Sequence, residues 1–373
     1  MYLCRFSCIF AVKMETQSLI LSPEEAKRYE NLYRIVKRSV DARQRDIKVM
    51  LTILTDKNGH LMPKDAPIPL YEPPHFQEVH HAKEVHIVGA GPAGLFAALT
   101  LLEQGLKPII FERGKDVSSR KRDIAHLCKN EGLNPESNYC FGEGGAGTFS
   151  DGKLFSRSKK RGDFSRILQI FNNNGASDDI LYEAHPHIGT DKLPEIIKNM
   201  RLSIIEHGGE VHFNTRVSEL IIKGKQVKGV KTANGDTFEA DAVILATGHS
   251  ARDVYEMLGK QEVELEAKGF AMGVRVEHPQ RLIDHIQYHI NGQRPDCLPA
   301  ASYSLVTQSK ERGVYSFCMC PGGFIVPAST YEGETVVNGM SPSRRNSPFA
   351  NSGIVVEIRP EDVASMQEFS KFG

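Results

Sequence analysis

Three features of the chain predict an α/β protein built on a doubly wound, mainly parallel sheet. They are a strand–turn–helix–strand unit at residues 85–112, amphipathic helical patterns between residues 164 and 204, and a buried strand at residues 242–245 ending in Ala246-Thr247-Gly248. A small α/β unit stands ahead of this core, and past Gly248 the composition turns to strand patterns.

The first 13 residues are apolar but short, with Arg5 inside and no small-residue cleavage site. They read as an extension upstream of Met14 rather than a secretory signal. Ser22-Pro23-Glu24-Glu25 is a capping box with proline at the first helical position, and it predicts a helix through about Arg38. Residues 47–54 alternate like a strand, which makes 14–67 the small N-terminal α/β unit, with proline-rich 67–74 as its linker. Residues 68–260 are expected to form the dinucleotide domain and 261–373 a β-rich substrate domain.

Residues 85–112 read VHIVGAGPAGLFAALTLLEQGLKPIIFE. The apolar run 85–88 enters Gly89, Ala90, Gly91, Pro92, Ala93 and Gly94, and an apolar-periodic helix follows. Gly89 suits a tight strand-to-helix turn, and Gly91 lets a pyrophosphate approach a backbone that has no Cβ. Gly94 allows the helix to pack closely on the sheet. The helix N-terminus offers unpaired N–H groups and partial positive charge to the phosphates. Glu112 follows Gly94 by 18 residues, where a carboxylate accepts from ribose hydroxyls. A glycine-rich turn in an ordinary βαβ unit does not explain that acid.

Farther along, Phe164, Ile167, Leu168 and Phe171 mark a helix ended by Gly175, and Leu193, Ile196, Ile197, Met200 and Ile204 mark another ended by Gly208. Residues 214–245 contain short strand patterns broken by Lys223-Gly224-Lys225 and by Asn234-Gly235, a hairpin signal. Beyond Gly248, the patterns at 270–276, 303–306, 314–320, 335–340 and 354–358 predict one antiparallel sheet.

With these segments in hand, the chain resembles the FAD-binding flavoproteins of the glutathione-reductase type. In that family a three-stranded meander precedes a strand ending in ATG, as at residues 246–248 here, and an acid-led segment like Glu112-Arg113-Gly114 follows the second strand. The resemblance implies a Rossmann-like FAD-binding domain, FAD rather than NAD as resident cofactor, adenine contact through the backbone of Val217, and cofactor contact at Thr247 and Gly248. Residues 138–153, NYCFGEGGAGTFSDGK, joined to Met319-Cys320-Pro321-Gly322-Gly323, narrow it to the bacterial group described as uncharacterised FAD-dependent or NAD(FAD)-utilising dehydrogenases. That resemblance runs from about Arg34 to Glu357. Flavoproteins of this type carry a further glycine-rich segment near the C-terminus, which residues 246–373 lack, so the chain reads as truncated and the FAD domain as discontinuous.

The loop 142–152 is the second candidate, with five glycines in eleven residues. Successive glycines form an anion nest or let the backbone cross a flavin ring, which nominates Gly144 and Gly145. Ser150 is a candidate for a phosphate or flavin carbonyl, and Arg113 and Arg120 for the pyrophosphate. Lys153, Arg157, Lys159, Lys160, Arg161 and Arg166 read either as an electropositive entrance or as a solvated face, and Arg344-Arg345 likewise. Cys318 and Cys320 flank Met319 on a strand pattern; their spacing suggests a redox pair, while same-strand neighbours seldom meet disulfide geometry. His249 follows the ATG turn and is a candidate cofactor neighbour, with His185 and His187 weaker ones. No catalytic acid–base or nucleophile set can be assembled, and no metal-ligand spacing is present.

Bulk properties fit an enzyme of this kind. Lys+Arg and Asp+Glu are equal at 46 each, and the basic clusters lack interleaved aromatics, so nucleic acid is not an expected partner. Seven cysteines at irregular positions and no convincing signal peptide favour a cytoplasmic setting. The longest apolar stretch, 87–102, is the glycine-rich unit itself, so no membrane span is expected. The expectation is an FAD-dependent dehydrogenase passing hydride through the flavin to or from a small-molecule substrate. With one glycine-rich unit, any NAD(P)H is a transient donor, or electrons come from a partner protein. A flavin monooxygenase and a non-catalytic remnant with weak FAD binding are the alternatives.

Overall fold

The computed structural model describes residues 15–67, 74–155 and 162–362. The expected extension 1–13, most of the linker 67–74, the cluster Arg157, Lys159, Lys160 and Arg161, and the C-terminal end of the chain lie outside the described residues.

The N-terminal unit is a three-stranded antiparallel sheet with one helix: β1 (Thr16–Leu21), α1 (Pro23–Leu32), β2 (Ile35–Asp41) and β3 (Lys48–Leu54), in the order β1-β3-β2. The capping box is present, with the Ser22 hydroxyl accepting from the Glu25 N–H and the Glu25 carboxylate accepting from the Ser22 N–H. The helix expected to reach Arg38 ends at Leu32 instead. Residues 35–41 bury Ile35 against Val49, Leu51 and Ile53, and a β-branched run gains more by pairing with β3 than by extending a helix with one buried residue, Ala26.

The central layer is a parallel sheet in the order β10-β4-β5-β6. Its chain order is β4 (Glu84–Val88), α2 (Pro92–Glu103), β5 (Lys107–Phe111), α3 (Val117–Cys128), α4 (Phe164–Asn173), α5 (Leu193–Glu206) and β6 (Glu210–His212), followed by the meander β7 (Val217–Lys223), β8 (Gln226–Thr232) and β9 (Thr237–Glu239). The chain then returns through β10 (Val243–Leu245) to α6 (Arg252–Lys260). Both faces of β4 and β5 are covered, which is why they read as continuous apolar runs. Ile87 and Ile110 pack under α2, α4 and α5 with Leu99, Ile196 and Met200. Val88, Ile109 and Phe111 pack on the other side under the meander and α6, through Val217, Val230 and Met257. The turns between β7 and β8 and between β8 and β9 use Gly224 and Gly235, each at positive φ.

The remainder holds β11 (Phe270–Pro279), α7 (Gln280–Tyr288), β12 (Val306–Ser309), β13 (Arg312–Cys320), β14 (Phe324–Pro327), β15 (Val337–Met340) and β16 (Phe349–Ile358). The single sheet expected here is two. Four strands run antiparallel in the order β11-β16-β13-β12, and β14 pairs separately with β15. Gly339 on β15 lies so close over the larger sheet that a Cβ there would fall 2.1 Å from the Asn351 Oδ1 and 2.2 Å from the Arg275 Nη1. Beside it, the Asn338 Oδ1 accepts from Arg275 at 3.2 Å. Val326 and Met340 of this ribbon share a core with Val117 and Ile124 of α3, which joins the β-rich part to the dinucleotide domain.

Candidate cofactor site

A cavity of about 550 Å³ opens at the carboxyl ends of β10, β4 and β5. β4 lies between β10 and β5, so the cavity sits at the switch point of the sheet, where open α/β folds bind ligands. Its walls come from four segments: the glycine turn after β4, Glu112 and Arg113 after β5, the 3₁₀ turn Gly145–Gly147, and residues 245–251 after β10; Val217 closes the floor.

The turn is held by close backbone approach. Gly89 has φ +105°, and a Cβ on it would fall 2.5 Å from the Ala246 carbonyl oxygen. On Gly94 a Cβ would fall 2.0 Å from the Gly89 carbonyl, so α2 packs on the turn as the sequence implied. Gly91 differs. The nearest protein atom to a Cβ there, the Gly145 Cα, is 3.9 Å away, so a Cβ fits beside the cavity without displacing protein. Gly91 is the N-cap of α2 and no side chain caps it, with Pro92 in the first turn. The helix end therefore faces the cavity with an uncapped N-terminus, suited to an anion.

Glu112 does more than the sequence suggested. Its carboxylate is 4% exposed and accepts from three backbone N–H groups: Ala90 at 2.7 Å, Gly114 at 2.8 Å and Gly142 at 3.0 Å. It ties the glycine turn to both flanking loops. A carboxylate has about four acceptor positions, which leaves one on Oε2 for a ligand hydroxyl.

The loop 142–152 meets the site through Gly145, Ala146 and Gly147, while Gly144 stands behind the wall. Gly144 donates to the Ala90 carbonyl at 2.8 Å and has φ +77°; a Cβ there would fall 2.0 Å from the Thr148 hydroxyl. Ser150 is not on the cavity wall. Its hydroxyl donates to the Gly147 carbonyl at 2.8 Å and accepts from the Gly152 N–H at 3.1 Å, closing the loop rather than offering a phosphate ligand.

Arg120 is a clear correction. It is fully buried and all its N–H donors are spent on protein. It donates to the carbonyls of Asn138 (2.8 Å), Tyr139 (2.9 Å), Glu143 (2.6 Å) and Gly145 (2.7 Å), and to the Thr148 hydroxyl (3.1 Å). Burial pulls its guanidinium down to about 10, with Glu112 the largest opposing charge, so it stays protonated at neutral pH. Arg120 builds the loop and does not face the pyrophosphate. Arg113 does reach the cavity, but Glu136 (2.7 Å) and Asp253 (2.9 Å) hold its guanidinium, and it lies 4.3 Å over the Phe141 ring.

Thr247, Gly248 and His249 line the cavity, whereas His185 and His187 do not; His187 bonds the Ser343 carbonyl at 2.9 Å. Of the basic cluster, Lys153 pairs with Asp151 and Arg166 with Glu103. Arg345 pairs with Asp151 as well, at 2.8 Å. Glu143 carries no local sequence signal; it is fully buried between the Val117 N–H (2.7 Å) and Arg201 (2.6 Å), partners that lie 26 and 58 residues away. Among the described residues no cluster of ligating side chains is arranged for a metal, and no helix is long and apolar enough to cross a membrane.

Residues 82–145, which carry the glycine turn, Glu112 and most of the central loop, match a family described as an FAD binding domain. The cofactor is FAD. Residues 167–278 match the pyridine nucleotide-disulphide oxidoreductase family, and residues 269–372 match the C-terminal domain-like part of FAD-dependent proteins. Together these matches account for residues 82–145 and 167–372. An uncharacterised protein of Clostridium beijerinckii is 44% identical over 358 residues, covering 93% of this chain, and the chain spans 66% of that relative's length. Among solved structures, the tetracycline destructase Tet(51) is similar at 14% identity and a TM-score of 0.32, over 76% of this chain and 58% of that one. THI4 of Thermovibrio ammonificans is similar at 18% identity and a TM-score of 0.33, over 50% of this chain and 65% of that one. Likeness of that size passes nothing of those proteins' chemistry to this chain.

The residues fit FAD. The uncapped α2 terminus suits the pyrophosphate, the free Oε2 position of Glu112 a ribose hydroxyl, and the apolar floor at Val217 an adenine ring.

Proposed function

We propose that the chain is an FAD-dependent dehydrogenase acting on a small-molecule substrate. The observation that carries this reading is the convergence on one cavity of the Gly91 crevice, the residual Glu112 acceptor and the glycine-built wall Gly145–Gly147. When bound, the flavin supplies hydride transfer. The protein orients it. Gly89, Ala90, Gly91, Pro92, Ala93 and Gly94 bring the α2 terminus to the pyrophosphate, and Glu112 takes a ribose hydroxyl. Val217 backs the adenine, while Gly145, Thr247 and Gly248 line the path toward the flavin end. Arg113 acts through its pairing with Glu136 and Asp253, which fixes the wall beside Phe141. No side chain is assigned to proton transfer.

We further propose that NAD(P)H is a visiting electron donor, a view supported by the single glycine-rich βα unit in the sequence, and that the protein works in the cytoplasm, supported by its cysteine usage. Mixing the FAD-loaded chain anaerobically with NADH or NADPH tests the donor. Bleaching of the oxidised flavin bands by one of them is expected. Bands unchanged by both would remove nicotinamide from the scheme and leave a partner protein or the substrate as the electron source.

A further inference from the structure

β13 carries a second chemically distinctive site, away from the walls of the FAD cavity. Its pairing with β16 is regular as far as Phe317 opposite Gly353, then breaks and resumes with Cys320 opposite Asn351. At the break Cys318 takes φ +47°, a left-handed conformation uncommon for a side-chain-bearing residue. On a regular strand, residues two apart stand roughly 6.5 Å from one another. Here the bulge folds the chain so that the Cys318 and Cys320 sulfurs are 3.9 Å apart. Same-strand neighbours seldom meet disulfide geometry on a regular strand, but the bulge removes that constraint here.

The surroundings favour a thiolate. Lys153 Nζ stands 3.8 Å from the Cys318 Sγ and 3.5 Å from the Cys320 Sγ. Asp151, which also holds Lys153, is 2% exposed and has its charge shared by Arg345, so the Lys153 ammonium is left to act on the sulfurs. Arg275 donates to the Cys318 carbonyl at 3.3 Å and adds positive charge from β11. The hydrogen bond from Cys320, then Lys153 and Arg275, hold the Cys318 thiol well below the usual range. The same hydrogen bond and burial push Cys320 up. Cys318 is half-buried and Cys320 fully buried, so the more accessible thiol is also the one held below the usual range.

We propose that Cys318 and Cys320 form a redox-active dithiol that reduces small aliphatic disulfides by thiol–disulfide exchange, with Lys153 supporting the Cys318 thiolate. The Cys318 thiolate attacks one sulfur of the disulfide, forming a mixed disulfide and releasing the first thiolate, which takes the proton given up by Cys320. The Cys320 sulfur then attacks the Cys318 sulfur, closing the Cys318–Cys320 bond and expelling the second thiolate. The small disulfide gains two electrons and the protein dithiol loses two. A bridge spanning one residue is strained and therefore easily reopened by a dithiol reductant.

The full chain treated anaerobically with oxidised glutathione, then alkylated and mapped by peptide mass spectrometry, tests this. The wild type is expected to accumulate the Cys318–Cys320 bridge. Cys320→Ser should stop at glutathione on Cys318, and Cys318→Ser should leave Cys320 unmodified. Lys153→Met should slow iodoacetamide alkylation of Cys318 at neutral pH by about tenfold, with the difference closing above the ordinary thiol range. Lys153→Arg should restore most of the rate. The proposal is overturned if Cys318 is alkylated no faster than the exposed Cys128, or if Cys320→Ser gives no mixed disulfide. None of these readouts depends on bound flavin, so failure here is distinct from failure of the FAD reading.

Discussion

Arg120→Ala is expected to remove about 4 kcal/mol or more of stability and to abolish FAD retention. The five backbone carbonyls that Arg120 holds all lie within residues 138–145, the segment that turns into the cavity wall. Truncation leaves these buried acceptors without donors in a site sealed from solvent, and each such group costs about 1–3 kcal/mol. Gly142 adds to the dependence, since a Cβ there would fall 2.5 Å from the Arg120 Cδ, so loop and arginine are fitted to each other. Urea denaturation of the apo-protein measures the effect without the cofactor. Arg120→Lys, with three donors in place of five, should recover only part of the loss. A change under about 1 kcal/mol would mean that the loop is held by something other than this guanidinium.

Glu112→Ala is expected to act on both stability and binding. Three backbone N–H groups lose their acceptor, which should lower apo-protein stability by about 2–4 kcal/mol. Loss of the remaining Oε2 position should weaken FAD by about tenfold to a hundredfold, equivalent to about 1.4–2.8 kcal/mol. Glu112→Gln separates the two contributions, because its single amide oxygen can serve only part of the set. Unchanged stability would contradict the tie among the turn and the two loops, and unchanged FAD affinity would contradict the ribose contact.

What the sequence made legible was local. The turn after β4 needs positive φ at Gly89 and close approach at Gly94, and both are written into consecutive residues beside an apolar strand. The helix patterns at 164–173 and 193–206 were readable for the same reason, as were the hairpin glycines Gly224 and Gly235. What failed depended on distant partners. The end of α1 at Leu32 is decided by the pairing of β2 with β3, and by Arg38 reaching Glu183, 145 residues away. β15 pairs with β14 rather than joining the larger sheet, and Gly339 packs against Arg275 and Asn351 from β11 and β16. The roles of Arg120 and Ser150 were misread because both spend their polar atoms inside the loop, which no pattern of residue types reveals. Glu112 lines the cavity, yet two of its three backbone partners, Ala90 and Gly142, lie 22 and 30 residues away and were invisible.

The central claim is that FAD lies in the cavity whose wall Gly91 and Gly145 form side by side, and Gly91→Val tests it most directly. Its backbone φ of −70° suits any residue, and the added side chain meets no protein atom at the Cβ closer than 3.9 Å. Equilibrium dialysis of wild type and variant against FAD, with circular dichroism on each, is the measurement. Saturable FAD binding by the wild type, its loss in the variant, and superimposable circular-dichroism spectra are expected. A variant that binds FAD as the wild type does, with the fold intact, would contradict that claim.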